Sequence, residues 1–290
     1  MTENNIFRYG CSLDDELFIH SSKLFCGFEA DPMIDIHCHL LPGMDDGPAS
    51  MDESLAMVRL AVADGIQGAI CTPHWHPMFW PNERNAIAIA VETLRLRLRA
   101  EDIAFDVWPG SELSLDADLE AGIAGGRLAT LNGGSWVLLE LPGAFLPSGI
   151  DNFLLNFLRS GRRLVLAHPE RYPFILRDPA RLHAWVEMGV AVQITAASLL
   201  GRLGPEIATL CRVLLEHRLV HFLASDGHGV ENRRPLLREA CSVAGEIAGG
   251  DDVLRLTEKH PQAVIRNEPL PLMEFAPLPL PRKRSWFKFW

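Results

Sequence analysis

The sequence predicts a single-domain α/β fold, a distorted TIM-like barrel of seven strand–helix units. Short apolar runs alternate with helical patterns from Met33 onward, and side chains that can bind metal recur where the runs end. Strands that alternate with helices of about 10–20 residues indicate parallel βαβ units. Seven such units favour a barrel over an open sheet, and the active sites of these barrels lie at the carboxyl ends of the strands.

Seven runs have the aliphatic, β-branched composition of buried strands. They span residues 33–37, 66–73, 104–112, 135–141, 163–168, 190–195 and 220–226. After the first run, Ser50 and Glu53 form a capping box that predicts a helix ending at Gly65. The further predicted helix starts are Asn82, Asp151 and Asp178 with Pro179.

The two ends of the chain differ from this pattern. We expect residues 1–32 to be an N-terminal extension, residues 33–268 to form the domain, and residues 269–290 to be a Pro-rich linker with a basic and aromatic tail. Five prolines between positions 269 and 281 predict an extended linker.

Charge and cysteine content narrow the functional classes. Residues 282–290 carry four of the 27 Lys and Arg residues and no acid, which leaves 23 basic against 37 acidic residues elsewhere. Such an acidic body is a poor nucleic-acid binder, because phosphate contacts depend on Lys and Arg. The six cysteines have no disulfide-framework spacing, and the sequence contains neither a bilayer-spanning apolar stretch nor a secretory signal in residues 1–32. We therefore expect a reduced, cytoplasmic protein.

The polar side chains at the strand ends predict a metal centre. His37 and His39 lie two residues apart, so both can point to one face of a strand and toward one ion. A single H-x-H pair is modest evidence, since a hydrogen-bonded core histidine is its ordinary interpretation, but ligands recur at five other strand ends. The candidate metal ligands are His37, His39, Asp46, His74, Glu112, Glu140, His168, Asp226 and His228.

The type of ligand indicates the type of ion. Imidazoles and carboxylates without thiolate suit Mn, Fe or Zn at sites that keep open water positions. Nine groups exceed the need of one ion and would serve about three if a carboxylate bridges. His76 is a weaker candidate than His74, and Cys38 is expected to point away into packing. The histidines expected to be structural or solvated are His20, His183, His217, His221 and His260.

Two arginines near these ligands are candidate catalytic and substrate-binding residues. Arg171 and Arg234 each offer a planar fork of donors that matches phosphate oxygens. A surface salt bridge is the alternative interpretation, above all for Arg233. Phe79 and Trp80, in the loop HPMFWPN, either line a slot for a phenol ring or simply pack that loop.

Taken together, these residues resemble the PHP superfamily (polymerase and histidinol phosphatase domains). Within it, the chain closely resembles the metal-dependent protein-tyrosine phosphatases of bacterial capsule and exopolysaccharide operons. The matching stretches, within about residues 33–267, are MIDIHCHLLPGMDDGP, GAICTPH, PGSEL, VLLELP, VLAHPERY, QITAASLLG and LASDGHG followed by RRP. The resemblance implies a PHP-type barrel, three divalent ions, usually manganese, and a membrane-associated bacterial tyrosine kinase as the phosphoprotein partner.

The resemblance also implies a role for each ligand. The first ion would be held by His37, His39, Glu112 and Asp226. The second would be held by Glu140, His168 and, as a bridge, Glu112. The third would be held by Asp46, His74 and His228. Arg171 and Arg234 match the phosphate-binding arginines of the family.

The chain departs from the family at three places. Members usually begin at the methionine that matches Met33, and Thr195 stands where asparagine is frequent. The segment from His228 to Arg234 is one residue longer than in some members, which makes Arg233 the alternative to Arg234 as phosphate ligand.

We therefore expect a metal-dependent phosphatase that hydrolyses phosphotyrosine on proteins, its substrate being the autophosphorylated tyrosine kinase that controls capsule or exopolysaccharide synthesis. As a hypothesis, a hydroxide held by the ions attacks phosphorus in line with the tyrosyl oxygen. A PHP-type phosphatase of histidinol phosphate or another small phosphomonoester is the nearest alternative, since the ligands serve the phosphate and not the leaving group. A TatD-like metal nuclease is disfavoured, because so acidic a body binds nucleic acid poorly. A binding module with a relic site would have lost some of the ligands, and none of the nine looks lost.

Two other chemistries are excluded or disfavoured. Cysteine-based tyrosine phosphatases need an arginine six positions after the cysteine, and none of the six cysteines has one. Amidohydrolases with a carbamylated lysine need that lysine mid-barrel, whereas the lysines of this chain are Lys23, Lys259, Lys283 and Lys288.

The tail RKRSWFKFW supports a second hypothesis about location. Its cations and aromatic rings could rest on an anionic membrane surface, at the inner face of the membrane. A disordered tail is the alternative. A homo-oligomer is also compatible with the sequence.

Overall fold

The computed structural model describes residues 33–271 and 274–276, so the expected N-terminal extension and the tail of residues 277–290 lie outside the described residues. In this part of the chain, nine parallel strands form two sheets. The strands are β1 (Met33–Cys38), β2 (Ile66–Cys71), β3 (His74–Trp75), β4 (Asp106–Pro109), β5 (Glu112–Ser114), β6 (Trp136–Glu140), β7 (Arg163–Ala167), β8 (Ala191–Thr195) and β9 (Phe222–Ala224). The predicted α/β class is confirmed.

Helices follow most of the strands, as βαβ units require. They are α1 (Met51–Asp64), α2 (Arg84–Ala100), α3 (Leu119–Ala124), α4 (Ile150–Arg159), α5 (Pro173–Arg177), α6 (Pro179–Glu187), α7 (Ala196–Leu199), α8 (Pro205–Glu216), α9 (Arg238–Ala248), α10 (Gly250–Leu254) and α11 (His260–Ile265). Within the described ranges, no helix combines the length and apolar character needed to cross a bilayer.

The two sheets have the strand orders β1-β2-β4 and β3-β5-β6-β7-β8-β9. Backbone hydrogen bonds join them at their carboxyl ends. Asp226 N–H donates to the His37 carbonyl and His39 N–H donates to the Gly227 carbonyl, both at 2.8 Å, so the chain after β9 meets the end of β1. The carboxyl ends of strands from both sheets therefore surround one region.

The core has an inner and an outer part. Apolar side chains from five strands pack together inside and are fully buried: Ile36, Ile70, Leu138, Val165 and Phe222. The larger cluster joins helices to the outer faces of the sheets through residues such as Leu55, Leu94, Leu154, Trp185 and Leu214. This inner cluster is what a curved, barrel-like arrangement of parallel strands produces.

The prediction that residues 104–112 form a single strand is wrong. Residues 104–112 form β4 and β5, which belong to different sheets. The break lies at Gly110, where a Cβ atom would come within 2.7 Å of Ile70 Cγ2, so the chain passes closer than a side chain allows. Ser111 Oγ then donates to the Pro73 carbonyl at 2.9 Å. This break turns Glu112 toward the other candidate ligands.

The helix starts are partly as predicted. Ser50 Oγ accepts from Glu53 N–H at 3.2 Å, and Gly65 ends α1 at a φ of 97°. The prediction for Asn82 is wrong: α2 begins at Arg84, and the Asn82 amide donates instead to the carbonyls of Met44 and His74.

Two further predicted starts have different outcomes. Asp178 precedes α6 as predicted. Asp151 lies inside the first turn of α4, where its carboxylate accepts from Trp185 Nε1 at 2.6 Å, so the prediction that it begins the helix is wrong.

The Pro-rich segment after α11 packs against the amino-terminal ends of the strands. Residues 269–271 and Phe275 line a groove there, beside Trp136 at the start of β6. The Phe275 ring lies 5.7 Å from the ring of His183, and Ala276 N–H donates to the His217 carbonyl at 3.1 Å. The segment therefore lies at the end of the domain opposite to the candidate ligands.

Candidate metal centre

The fold brings the nine candidate ligands together. They come from the ends of β1, β6, β7 and β9, the first residues of β3 and β5, and the loop before α1. Three groups have all their ligand atoms within 4.8 Å of one another: His37, His39 and Glu112; His74, Glu112 and Glu140; and His39, Asp46, His74 and His228. Asp226 and His168 adjoin these groups, at 3.5 Å from His37 and 2.8 Å from Glu112.

Glu112 lies at the centre of the cluster. Its Oε2 atom is 3.0 Å from His74 Nδ1 and 3.2 Å from His37 Nε2, while Oε1 is 2.8 Å from His168 Nε2. Because β5 begins at Glu112 and pairs with β3 and β6, this carboxylate is directed between the ligands of both neighbours. A carboxylate that contacts several imidazoles in this way has the geometry of a bridging ligand.

A second focus of the cluster is Asp46. Its Oδ1 atom is 3.2 Å from His228 Nε2 and 3.5 Å from His74 Nε2. The ring of His228 stacks on that of His39 with centroids 3.7 Å apart. His39 thus belongs to two of the three groups, although the family resemblance assigns it to the first ion alone.

Outer partners fix the orientation of three imidazoles. His37 Nδ1 lies 3.0 Å from Gln193 Oε1, His39 Nδ1 lies 2.6 Å from Asp45 Oδ2, and His228 Nδ1 lies 2.9 Å from a backbone carbonyl. Each Nδ1 therefore carries a proton, and a neutral imidazole in this tautomer presents its Nε2 lone pair to the cluster. Sequence reasoning missed Asp45 and Gln193. The signal for Gln193 was one polar residue inside the apolar run AVQIT, which must find a partner when buried.

Asp35 stabilises the end of β1 that carries His37. It accepts hydrogen bonds from His37 N–H and from the backbone and hydroxyl of Ser225. Burial, only partly offset by these bonds, raises the pKa of Asp35 to about 6. The sequence places Asp35 beside His37 and His39 in IDIHCHL, but its partner Ser225, through which it ties β1 to the end of β9, was not predicted.

Two candidate ligands have strained backbones. His168 has a φ of 33° and Asp226 a φ of 53°, in the left-handed region that non-glycine residues rarely adopt. Such conformations cost about 1–3 kcal/mol and persist where the surrounding structure imposes them, often at functional sites.

The cluster concentrates opposite charges in a buried volume. Burial opposes protonation of His39, but the carboxylates of Asp45 and Glu112 outweigh it and raise its pKa to about 10. At Asp226, burial alone would raise the pKa of the carboxyl. The positive charges of His37 and Arg171 outweigh this effect and hold the pKa far below its usual range. Burial and the charge of Glu112 raise the pKa of Glu140.

The donor set fits divalent cations. Glu112 Oε2 and His228 Nε2 are buried, and their near neighbours at 3.0–3.2 Å are atoms of other candidate ligands, with which they form no well-aligned hydrogen bond among the described residues. A buried polar atom without a well-aligned partner costs about 1–3 kcal/mol, and a coordinated cation would satisfy both atoms. Imidazole nitrogens and carboxylate oxygens without thiolate are the ligands of Mn, Fe or Zn.

A cleft of about 440 Å³ opens over the cluster. Its polar lining includes His74, Glu140, His168 and Asp226 together with Arg171, Asn232, Arg233 and Arg234. Arg171 Nη1 lies 2.7 Å from Asp226 Oδ2, and Arg233 Nη2 lies 2.9 Å from both oxygens of Asp226. Both predicted arginines, Arg171 and Arg234, therefore face the same space as the ligands.

The loop that carries Phe79 and Trp80 lies beside the metal centre. Neither residue is among the described residues that line this cleft. Trp80 stacks on His74 with centroids 4.9 Å apart, while Phe79 is 67% exposed. His76 Nδ1 accepts from Met78 N–H and belongs to none of the three groups of ligands. Cys38 is buried in the core, as predicted.

The family is decided by a match over most of the described domain. A model of the family described as "Capsular polysaccharide synthesis, CpsB/CapC" matches residues 33–266. The chain belongs to the CpsB/CapC family. The stretches that carry the resemblance and all nine candidate ligands lie within this match.

Relatives of this CpsB/CapC chain have named activities. It is 37% identical over 252 residues to the tyrosine-protein phosphatase YwqE of Bacillus subtilis, covering 87% of this chain and 97% of that protein. It is 28% identical to the tyrosine-protein phosphatase CpsB of Streptococcus pneumoniae, covering 81% and 99%.

Solved structures agree with these relatives. A crystal structure from the work on YwqE and CpsB, described as unique metal-dependent tyrosine phosphatases, matches with a TM-score of 0.80 and 35% identity, covering 85% of this chain and 100% of that chain. A β-aspartyl dipeptidase from Fervidobacterium islandicum shares the fold alone, with a TM-score of 0.51, 12% identity, and coverage of 83% and 74%.

Proposed function

We propose that this protein is a metal-dependent protein-tyrosine phosphatase of capsule or exopolysaccharide synthesis. The observation that carries the proposal is the convergence of nine imidazole and carboxylate ligands beside a cleft that four of them line together with arginines. Membership of the CpsB/CapC family supports it, since named relatives are tyrosine-protein phosphatases.

The proposed cofactor is a set of three divalent ions, Mn²⁺ in the first place and Fe or Zn as alternatives. The residues that would hold them are the nine candidate ligands, with Glu112 shared between ions. When bound, such ions lower the pKa of water and neutralise charge on phosphoryl oxygens. Gln193 and Asp45 would keep the imidazoles of His37 and His39 in the tautomer that coordinates.

The arginines of the cleft have the proposed role of binding the phosphoryl group. Arg171 is held by Asp226 and by Thr195, whose Oγ1 atom accepts from Nη2 at 3.0 Å. Arg233 and Arg234 both line the cleft, but Arg233 Nη2 contacts both oxygens of Asp226 and its Nη1 reaches Asp46 at 3.4 Å. Because Arg233 contacts two candidate ligands, its proposed role is to neutralise their negative charge, and Arg171 and Arg234 are the proposed phosphate ligands.

The proposed substrate protein is an autophosphorylated tyrosine kinase at the inner face of the membrane. The basic and aromatic residues 282–290, which lie outside the described residues, are the proposed membrane contact. Removal of residues 282–290 should abolish co-sedimentation with anionic liposomes and leave hydrolysis of a soluble phosphotyrosine peptide unchanged. Unchanged co-sedimentation would refute the membrane contact.

A substrate panel tests the proposed function. The full chain with Mn²⁺ should hydrolyse a phosphotyrosine peptide faster than a phosphoserine peptide or histidinol phosphate, and both chelation and His37→Ala should abolish the reaction. Preference for histidinol phosphate would support the metal centre but show that the substrate is a small phosphomonoester and not phosphotyrosine. Activity that survives chelation would refute the proposal.

A further inference from the structure

The lining of the cleft includes four apolar residues besides the arginines and candidate ligands: Ala196, Ala197, Leu203 and Leu236. They form the apolar wall of the cleft. Arg202 and Arg234 stand close to this wall in the chain. A phosphomonoester whose phosphate lies at the arginines has this wall available for its leaving group.

The chain between α7 and α8 presents Leu203 at the rim of the wall. Gly201 and Gly204 flank the Arg202–Leu203 pair with φ values of 75° and 108°, which only glycine adopts without strain. Arg202 N–H donates to the Ala197 carbonyl at 3.0 Å, so the turn is tied back to α7. Leu203 remains 45% exposed and offers an apolar surface to a ligand.

One residue couples this wall to the phosphate end. Thr195 Oγ1 accepts from Ser198 N–H in the first turn of α7 and also from Arg171 Nη2. Its backbone N–H donates to Glu170, which is fully buried. Because Thr195 binds both elements, the spacing between the phosphate-binding arginine and the apolar wall is fixed.

We propose that the wall formed by Ala197, Leu203 and Leu236 receives the phenyl ring of phosphotyrosine, and that Leu203 is the residue that selects an aromatic leaving group. The inference rests on the proposed phosphatase function. The ring, and not the phosphate, distinguishes this substrate from other phosphomonoesters, and the aliphatic side chains of the wall can bury its apolar face. Phe79 and Trp80, which are absent from the lining of this cleft among the described residues, then pack their loop and do not hold the ring.

The test compares Leu203→Ala with Leu96→Ala, an equally conservative change of a leucine that is 57% exposed on α2. Leu203→Ala should lower kcat/KM for phenyl phosphate and for a phosphotyrosine peptide about tenfold. The inhibition constant of inorganic phosphate, which has no leaving group, should change less than about twofold. Leu203→Met should restore most of the loss, and Leu96→Ala should behave as wild type.

Three results would overturn the inference: unchanged kcat/KM in Leu203→Ala, an equal weakening of phosphate inhibition, or a loss produced by Phe79→Ala in place of Leu203→Ala. Calorimetric binding of benzylphosphonate, which is not hydrolysed, gives the same comparison without turnover. A protein that binds benzylphosphonate through Leu203 but does not dephosphorylate phosphotyrosine proteins would refute the proposed function and keep this inference.

Discussion

Asp45 Oδ2 lies 2.6 Å from His39 Nδ1, and the same carboxylate accepts the backbone N–H groups of Gly47 and His74. Asp45 therefore orients an imidazole that belongs to two groups of candidate ligands, and it also shapes the loops that carry Asp46 and His74. A side chain that contacts no ion can control an ion's affinity in this way.

Asp45→Ala should weaken Mn²⁺ binding roughly 10- to 100-fold, because His39 loses the partner that fixes its tautomer. Asp45→Asn should lose less, since its amide oxygen can still accept from Nδ1. Titration of the metal-depleted protein with Mn²⁺ measures both, with Asp52→Asn as control because the Asp52 side chain is 90% exposed. Equal affinity in Asp45→Ala and wild type would contradict the assigned role.

The two neighbouring arginines should differ in function. Arg234→Ala should raise KM for phosphotyrosine and the inhibition constant of phosphate about 10- to 100-fold, the value of one or two charge-assisted hydrogen bonds. Arg233→Ala should instead alter Mn²⁺ affinity, because its guanidinium contacts Asp226 and Asp46. The reverse pattern would make Arg233 the phosphate ligand, the alternative that the longer loop leaves open.

The carboxyl ends of parallel strands meet in space, and this geometry explains why the ligands were predictable. His37, Glu140 and Asp226 are far apart in sequence, yet each lies at or directly after a strand end. The residues that orient the ligands were harder to predict, because no sequence spacing relative to the histidines marks Asp45 or Gln193. The break at Gly110 was also hidden, since it depends on the approach of Ile70 from a neighbouring strand.

Local signals failed where tertiary contacts competed with them. Asn82 and Asp151 have side chains suited to helix caps, but they bind a loop carbonyl and the Trp185 indole instead. The left-handed backbone at His168 and Asp226 was not predictable either, because neither residue is glycine. These are positions where the site imposes a conformation that the local sequence does not favour.

The stability of the protein should fall in acid through the half-buried His221 and the buried His260. Burial lowers the pKa of His221 to about 3 and that of His260 to about 4, against an ordinary value of 6.5. His221 Nδ1 accepts from Val192 N–H, so protonation would break that bond. Between pH 6.5 and about 4 the unfolded chain binds more protons than the folded protein, so each imidazole lowers the free energy of unfolding by up to about 1.4 kcal/mol per pH unit.

Urea denaturation at several pH values measures this effect. His221→Asn, whose amide oxygen can accept the same hydrogen bond, should show a shallower loss of stability below pH 6.5 than wild type. Parallel curves for the two proteins would show that His221 does not titrate between the two states.

The segment after α11 should stabilise the domain without affecting the site. Phe275→Ala should lower the free energy of unfolding by about 1–2 kcal/mol, because the half-buried ring packs on the core beside His183. Phe145→Ala is the matched control, since Phe145 is 61% exposed and its loss should cost less than about 0.5 kcal/mol. Loss of phosphatase activity at low temperature in Phe275→Ala would contradict its placement far from the ligands.

We propose that the nine candidate ligands hold the ions that drive phosphotyrosine hydrolysis. The most direct measurement is recovery of activity when the chelated full chain is titrated with Mn²⁺, with bound metal counted in the same samples. We predict that activity returns as about three ions bind per chain, and that Glu112→Gln, which removes the shared charge, recovers neither the metal content nor the activity. Full activity in the chelated protein, or normal metal content and activity in Glu112→Gln, would contradict this role of the ligands.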